Sequence, residues 1–504
     1  LPARVLLLPV AFGLRWARSR RILQRTGLEI PLLVFLASAG IATWIAVDRP
    51  TALLQFARML AAAVMFYTVI QSEKSLRPWL VGGMVMVVLG LALYWPLQHE
   101  FSADLGKFPW IAHAGVWINQ HLPAIQGPFV HANVAASVLA PGLVFSVALA
   151  VWAGKGRLWL AALAGITSLV LLAVLVLTSS RGAWVGGVSA CLLAGAVLLQ
   201  HKWFRAKGPR RMFWGGILRV GCVTLIFLVA SGFWEPLFGQ VPDPTGSFES
   251  RLSLWRQVAL LVGDAPFTGF GLMGFRLVYA TYGILIHVPF QDHAHNTYLE
   301  IAFEQGIPGL LALLWGLVVV LRWAWRSLET GKNSLWGWVG LAALGVVAAH
   351  GIFDVVYYVT RPLPLIGLYA GLAWMLDEAT LHGDPQQKTV NRMSRWLGIA
   401  AVGLGGVLLI VFFRPLIARG YANLGVVQQT RLELSTYDAA HFDNPTLDEV
   451  RQQLDLSQAT TYFEQALDWA VADRTALQRL SQIALSTGDY PQALAWMQAA
   501  WDAG

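Results

Sequence analysis

Residues 292–300 read Asp-His-Ala-His-Asn-Thr-Tyr-Leu-Glu and join a long polar segment to the apolar run Ile301–Trp315, which is broken only by Glu304–Gly309. An apolar stretch that continues directly from a polar loop is typical of a chain that enters a membrane as a helix. The same stretch brings two imidazoles, an amide and a carboxylate to that boundary. Because ionisable groups are costly in a membrane and usually functional there, the stretch predicts both a membrane fold and a functional site.

The composition agrees with a membrane fold. The chain has 504 residues, of which 56% are hydrophobic and 13% charged, and a soluble domain of this length could not bury so much apolar surface. Segments of about 20 apolar residues, long enough to cross a bilayer, lie at about 28–47, 51–70, 79–97, 132–153, 158–178, 182–200, 212–232, 296–321, 335–352, 362–376 and 396–413. Residues 1–14 are a candidate twelfth segment, with a secretory signal as the alternative. We therefore expect an all-α polytopic bundle of eleven or twelve transmembrane helices.

Lys and Arg are concentrated in every second connection between these segments. Because basic residues favour cytoplasmic connections, the long loops at about 98–131 and 233–294 and the tail after Phe413 should face away from the cytoplasm. This bias explains the formal net charge of +8, which therefore does not indicate a nucleic-acid partner. Cys191 and Cys222 lie inside predicted membrane segments without metal-ligand spacing, so neither a disulfide nor a metal site is predicted.

The tail, residues 414–504, is predicted to form a second, helical domain after the membrane domain of residues 1–413. Small residues and one large apolar residue recur in it after 34 positions: Ala459, Phe463 and Ala466, then Ala493, Met497 and Ala500. This period resembles the tetratricopeptide repeat, and an ordinary helical hairpin is the alternative. About two repeats fit, so we expect support from the membrane loops or from further chain beyond Gly504. We expect such a domain to dock a protein partner or the acceptor rather than to perform chemistry.

The pair His295-Asn296 is followed after nine residues by Gly306 and after two more by Gly309. This spacing resembles the signature of the O-antigen ligase and O-antigen polymerase superfamily, and the resemblance is clearest over about residues 125–310. It implies a GT-C-like, multi-pass protein of the bacterial inner membrane. It also implies an enzyme of lipopolysaccharide or related glycan biosynthesis that moves a glycan from undecaprenyl diphosphate to an acceptor hydroxyl, with inversion and without a cofactor or metal.

His295 is the candidate general base. Glycosyl transfer to a hydroxyl needs a group that takes the acceptor's proton, and an imidazole with an ordinary pKa of about 6.5 is often unprotonated at neutral pH. His293 is expected to assist or orient, Glu300 to hold the acceptor or fix His295, and Glu304 to cap the turn that follows it. Asn296 is a candidate substrate contact. A purely structural histidine at the interface is the alternative.

Three arginines are candidates for binding the donor diphosphate, because a guanidinium can make two charge-assisted hydrogen bonds to phosphate oxygens. Arg181 lies in a Ser-Arg-Gly run at the outer end of a predicted span, where a snorkelling side chain is the alternative. Arg251 lies on a predicted amphipathic surface helix, where a contact to lipid phosphate is the alternative. Arg256 is the weaker candidate, because helix geometry turns it away from Arg251.

Two further segments contain candidate residues. His131 and Asn133, at the end of the first long loop, resemble a family element and are candidates for substrate binding, with helix capping by Asn133 as the alternative. His350 and Asp354, with Arg361, mark the outer end of another predicted span. A functional role and a purely structural pair are equally good interpretations of these residues. Residues 269–274 spell Gly-Phe-Gly-Leu-Met-Gly, but they follow no predicted strand and face away from cytosolic nucleotides, so we expect a glycine-rich turn.

The sequence leaves the acceptor open. A lipid A core sugar would make the protein a ligase, a growing glycan a polymerase, and a protein side chain an O-oligosaccharyltransferase; we favour the first two. Besides the lipid-linked donor, the expected partners are membrane lipids and a protein bound by the tail. From another class, a small-solute transporter would show inverted repeats and broken helices near the bilayer centre, and the sequence predicts neither.

Overall fold

The computed structural model describes residues 25–104, 109–154, 156–188, 247–285, 291–330, 334–381, 410–437 and 444–503. Within these ranges the chain forms helices and turns without any β-strand, so the all-α prediction is confirmed. Several predictions concern other parts of the chain. The candidate segment 1–14, the span 212–232, most of the spans 182–200 and 396–413, and both cysteines lie outside the described residues.

The described helices are numbered here in chain order. They are α1 Glu29–Ile45, α2 Arg49–Gln71, α3 Arg77–Gln98, α4 Pro109–His121, α5 Ala132–Ala153, α6 Leu158–Leu177, α7 Ser247–Asp264, α8 Phe275–Val278, α9 Thr297–Thr330, α10 Leu335–His350, α11 Val356–Val359, α12 Leu363–Ala373, α13 Met375–Leu381, α14 Phe413–Glu433, α15 Leu447–Gln453, α16 Ser457–Trp469, α17 Arg474–Ser486 and α18 Tyr490–Asp502. Residues 181–188 are also helical. The predicted span 362–376 is divided between α12 and α13.

Five helices of the described ranges are long and apolar enough to cross a membrane, and they correspond to α2, α3, α5, α6 and α9. The apolar helices α1 and α10 are shorter. Small residues allow neighbouring helices to approach closely, as is common in membranes. A Cβ atom on Gly367 of α12 would lie 1.9 Å from the carbonyl oxygen of Ala62 in α2, and one on Gly340 of α10 would lie 2.4 Å from the backbone nitrogen of Ala373. Helix α10 therefore packs tightly on α12, while α5 packs on α3, α6 and α10.

Helix α9 is broken at Gly306, which has φ 73° and ψ −178°. The carbonyl of Glu304 has no helical partner, because Pro308 carries no N–H. The glycine-rich turn 269–274 supplies hydrogen-bond donors in place of those lost at the break. Phe270 N donates to Phe303 O at 2.8 Å, and Gly271 N donates to the Glu304 carbonyl at 3.1 Å. The expectation of unbroken helices is therefore wrong for α9.

The sequence suggested that the side chain of Glu304 caps the turn that follows it, but this expectation is wrong. The side chain is fully buried and accepts hydrogen bonds from Met273 N at 2.7 Å and from the Tyr358 hydroxyl at 2.9 Å. Its carboxylate thus fixes the inserted turn from the other side. The glycine-rich segment forms the expected turn, and its role is to pack into the broken helix.

The tail is helical throughout its described residues, from α14 to α18. Ala459, Phe463 and Ala466 are fully buried, and the Phe463 ring fills the space beside Gly425. One apolar cluster joins Phe463 and its neighbours to Leu254 of α7 and Phe303 of α9. The tail therefore packs against α7 and α9, whereas the repeat assignment and the boundary at residue 413 stay predictions.

Candidate functional site

The polar stretch before α9 is held in a defined shape. The Trp255 indole of α7 donates to the carbonyl of Ala294 at 2.9 Å, and the Ala294 N–H donates to a carboxylate oxygen of Glu300 at 2.7 Å. His295 follows with a φ of 49°, a left-handed conformation that non-glycine residues adopt at a cost and that often marks functional positions. The backbone between the two histidines is therefore fixed from both sides.

His293 and Glu300 form a pair. The Nδ1 atom of His293 lies 3.4 Å from Glu300 Oε1, and the Glu300 side chain has 0% exposure while that of His293 has 29%. Burial by itself lowers the pKa of His293, but the hydrogen bond to Glu300 and the charges of Glu300, Asp292 and Asp354 outweigh it, so the pKa is raised above the ordinary value. His293 thus favours the protonated form, which suits a residue that holds a carboxylate.

His295 has the opposite tendency. Burial lowers the pKa of its imidazole; the charge of Asp354 opposes this effect, while the charges of Arg251 and His293 add to it. Its Nδ1 atom is enclosed and has no hydrogen-bond partner within the described structure. The neutral imidazole is the form that can accept a proton. Of the two histidines, His295 therefore has the electrostatics of a base.

The first turn of α9 is fastened to the end of α10. The Asn296 side-chain oxygen accepts hydrogen bonds from Tyr298 N and Leu299 N, both at 3.0 Å, which is the usual capping arrangement. Its amide nitrogen donates to the Ile352 carbonyl at 3.1 Å. Thr297 donates to the carbonyls of Gly351 and Asp354 through its backbone nitrogen and its hydroxyl. Asn296 is therefore occupied in positioning His295, whether or not it also contacts a substrate.

Residues 350–354, called the 350–354 turn below, are the point on which the separate segments converge. A Cβ atom on Gly182 would lie 2.8 Å from the His350 ring, which brings Arg181 to this turn. Arg251 donates to the Phe353 carbonyl at 3.4 Å. The structure thus brings Arg181, Arg251 and the His295 segment together, although they are far apart in the sequence.

The start of α5 reaches the same turn through Asn133. Its amide nitrogen donates to Asp354 Oδ2 at 2.6 Å, and Val355 N donates to the other carboxylate oxygen at 2.7 Å. The cap of α5 is His131 and not Asn133, because His131 Nδ1 accepts the Asn133 N–H at 3.2 Å. The capping alternative for Asn133 is therefore wrong.

Two of the predicted residues lie at the edge of this arrangement. His131 is exposed beside Asn133, and Arg256 is exposed on α7, whereas Arg181 and Arg251 are half-buried. Sequence reasoning gave too little weight to Asp354. This residue is 7% exposed and connects the first loop, α9 and the electrostatics of His295, but its spacing to His350 indicated only a local pair.

The fold and the site define a polytopic membrane protein with two arginines, a carboxylate and a histidine gathered at one end of its helices. Residues 166–314 match the family model described as O-antigen ligase. This part of the chain is therefore similar to the O-antigen ligase family. The matched region contains Arg181, Arg251, His295 and Gly306, whereas the 350–354 turn and the tail lie outside it. A comparison with curated proteins gave no match.

Proposed function

We propose that the protein transfers a glycan from undecaprenyl diphosphate to an acceptor hydroxyl, at the outer face of the bacterial inner membrane. The family supports glycan transfer of the ligase or polymerase type. The observation that carries the finer proposal is the convergence of Arg181, Arg251 and His295 on the 350–354 turn. Cations and a base meet there although they come from three separate segments.

In the proposed reaction, His295 takes the proton of the acceptor hydroxyl as the acceptor oxygen attacks the anomeric carbon of the donor sugar. The bond between that carbon and the diphosphate oxygen breaks, and attack from the opposite face inverts the configuration. Because Nδ1 of His295 is enclosed, the proton goes to Nε2. Arg181 and Arg251 bind the diphosphate and stabilise the charge that it gains on leaving.

The roles of the neighbouring residues follow from their contacts. Glu300 accepts hydrogen bonds from His293 and from Ala294 N, so it fixes the backbone that presents His295. The positive charge of His293 in turn lowers the pKa of His295. Asp354 limits that effect and holds Asn133. No step requires a metal.

A transporter is less well supported, although the broken helix α9 is a feature that transporters share. The break at Gly306 is filled by the protein's own turn 269–274, whose backbone takes up the free polar groups. It therefore does not line an open passage in the described part of the chain. A protein side chain stays the alternative acceptor, and the protein would then be an O-oligosaccharyltransferase with the same donor and the same base.

The test is mass spectrometry of envelope glycans and lipid carriers in a deletion strain complemented with variants. We expect the deletion to accumulate undecaprenyl-diphosphate glycan, and the glycoconjugate that disappears identifies the acceptor. His295→Ala should lose at least about a hundredfold in transfer, because general-base assistance typically contributes 10²–10⁴-fold. His293→Ala should lose much less, and His113→Ala, an exposed histidine of α4, should lose nothing. Full transfer by His295→Ala would refute the assignment of the base.

A further inference from the structure

The helix that carries Arg251 is held at its far end by the tail. Helix α7 ends at Asp264, about 20 Å from Arg251 along the helix axis. The two carboxylate oxygens of Asp264 have different partners in α17. Oδ1 accepts a hydrogen bond from the Thr475 hydroxyl at 3.0 Å, and Oδ2 accepts one from Arg479 Nη2 at 3.3 Å. The C-terminal end of α7 is therefore attached to a helix of the tail.

The stability of α7 alone does not explain a carboxylate at this position. Negative charge at the C-terminal end of a helix is unfavourable, because the backbone dipole makes that end negative. Asp264 lies, however, against Thr475 in the first turn of α17, where the same effect favours an anion. The charge of Asp264 is thus accounted for by the contact between α7 and the tail.

Arg479 is a buried cation that depends on this contact. Its side chain is 3% exposed, and its guanidinium lies over the ring of Tyr282 at 4.3 Å from the ring centre, an arrangement that stabilises a cation. Its Nη1 atom is enclosed without a hydrogen-bond partner in the described residues. Because a buried charge is costly unless it is paired, Arg479 and Asp264 hold each other in place.

Thr475 is itself held by the rest of the tail. Its hydroxyl accepts a hydrogen bond from Arg419 Nη1 of α14 at 2.7 Å while it donates to Asp264. Arg419 also forms an ion pair, at 3.5 Å, with Asp473, the N-cap residue of α17. The residues that hold α7 are therefore joined to two helices of the tail, α14 and α17.

The first half of α7 reaches the candidate site. Arg251 donates to the carbonyl of Phe353 in the 350–354 turn, and Trp255 donates to the carbonyl of Ala294. Rigid secondary elements carry coupling between distant sites. A displacement of the Asp264 end of α7 would therefore move the Arg251 guanidinium relative to the 350–354 turn.

We propose that Thr475 and Arg479 are positioning residues for Arg251. They fix the C-terminal end of α7 and thereby keep the Arg251 guanidinium at the 350–354 turn. This inference rests on the proposed function, which assigns Arg251 to the donor diphosphate. The tail then contributes to donor binding from a distance, through the helix that it holds.

The contact itself is tested by hydrogen–deuterium exchange of the full-length protein in phosphatidylcholine nanodiscs. In Arg479→Gln the amides of the last turn of α7 should exchange at least about tenfold faster, because a charge-assisted hydrogen bond is lost. Arg474→Gln, at an exposed arginine of the same helix, is the matched control and should leave this exchange unchanged.

The effect on Arg251 is tested by the binding of a fluorescent farnesyl diphosphate. Arg479→Gln should raise its Kd at least fivefold. Arg479→Lys should raise it less, because lysine keeps the charge and can lie over the Tyr282 ring. In a chain that already carries Arg251→Ala, Arg479→Gln should cause no further loss, because the residue that it positions is absent. A purely structural role of Arg479 would instead weaken binding equally in both backgrounds.

Thr475→Val is a second variant, which keeps the shape of the side chain and removes the hydroxyl that donates to Asp264. Every variant must show native retention on size exclusion, and Thr475→Val carries the test if the Arg479 variants do not fold. It should also speed exchange at the end of α7 and weaken diphosphate binding.

Two results would overturn the proposal. One is unchanged exchange of α7 in both Arg479→Gln and Thr475→Val. The other is an equal loss of diphosphate binding from Arg479→Gln with and without Arg251. A failure of the proposed function looks different: Arg251→Ala would bind the diphosphate normally, while Arg479→Gln would still speed exchange at the end of α7.

Discussion

Gly306→Ala is expected to release the turn 269–274 from α9 and to impair transfer. At φ 73° and ψ −178° the residue occupies a region that is essentially restricted to glycine, and forcing another residue into it costs about 1–3 kcal/mol. An alanine Cβ would also lie 2.7 Å from the carbonyl carbon of Phe267 and 2.8 Å from the carbonyl oxygen of Pro266. The broken helix cannot accept the methyl group while the segment before the turn stays in place.

The free-energy cost can also be estimated for the alternative, in which the turn 269–274 detaches from α9. Three backbone hydrogen bonds would be lost, from Phe270 N to Phe303 O, from Gly271 N to Glu304 O and from Ile307 N to Pro266 O. At roughly 0.5–1.5 kcal/mol each, their sum is comparable with the strain. Either route therefore costs about 2 kcal/mol, which corresponds to roughly a thirtyfold change in an opening equilibrium.

Hydrogen–deuterium exchange of the peptide that contains Phe270 and Gly271 measures this opening directly. Exchange of these amides should become roughly thirtyfold faster in Gly306→Ala, and transfer should fall with it because the turn also holds Glu304 near the site. Gly263→Ala is the control, since a Cβ atom on this residue of α7 meets nothing within 4 Å. Unchanged exchange in Gly306→Ala would refute the view that the turn depends on this glycine.

Four further predictions concern the site and the tail. Arg251→Lys keeps the charge but loses the planar fork, so transfer measured in vitro should fall at least about tenfold, given roughly 1.5–3 kcal/mol for a charge-assisted hydrogen bond; normal rates in Arg251→Lys and Arg251→Ala would reduce the residue to a lipid contact. Because burial lowers the pKa of His295 below its ordinary value, initial rates should be constant near neutral pH and fall only below about pH 6.5. Glu300→Gln removes the charge that raises the pKa of His293, so the pKa of His293 falls, its positive charge lowers the pKa of His295 less, and the acidic limb should move to higher pH; a shift to lower pH would contradict the assignment. Asn423→Ala should lower transfer at saturating acceptor and should speed amide exchange of the turn around Thr268. Asn423→Asp keeps the accepting oxygen, so both changes should be smaller in that variant.

The first turn of α9 could be predicted from the sequence, whereas its partners could not. Residues 292–300 contain a local signal, because polar groups next to an apolar run mark a boundary whatever the rest of the chain does. The partner of Thr297 is Asp354, which is 57 positions away. That contact depends on how α9 and α10 pack, and a single sequence carries no record of such packing.

The break in α9 shows the same limit. Gly306 and Pro308 in sequence suggest a weak point, since both residues disfavour the interior of a helix. The sequence does not show that another backbone segment fills the gap, because the filling turn lies about thirty positions earlier and looks like a glycine-rich loop. The glycine-rich turn and the break at Gly306 therefore form one structure, because glycines in each segment allow the backbone of the other segment to approach closely.

The tail is bound to this same structure, which changes the expectation that it acts only in docking. Asn423 of α14 is 1% exposed, accepts hydrogen bonds from Phe267 N and Thr268 N, and donates to the Thr268 hydroxyl. The segment that it holds is the one that lies against Gly306. A second link is the buried ion pair of Glu433 and Arg451 at 2.7 Å. The Glu433 carboxylate also accepts a hydrogen bond from the Tyr282 hydroxyl, in the segment between α8 and α9. Removal of Arg451 alone would leave Glu433 as an unpaired buried charge beside Tyr282, and so would disturb the segment that contains Tyr282 as well. The path from the tail to the site is continuous: α14 holds the turn, the turn holds α9, and α9 presents His295.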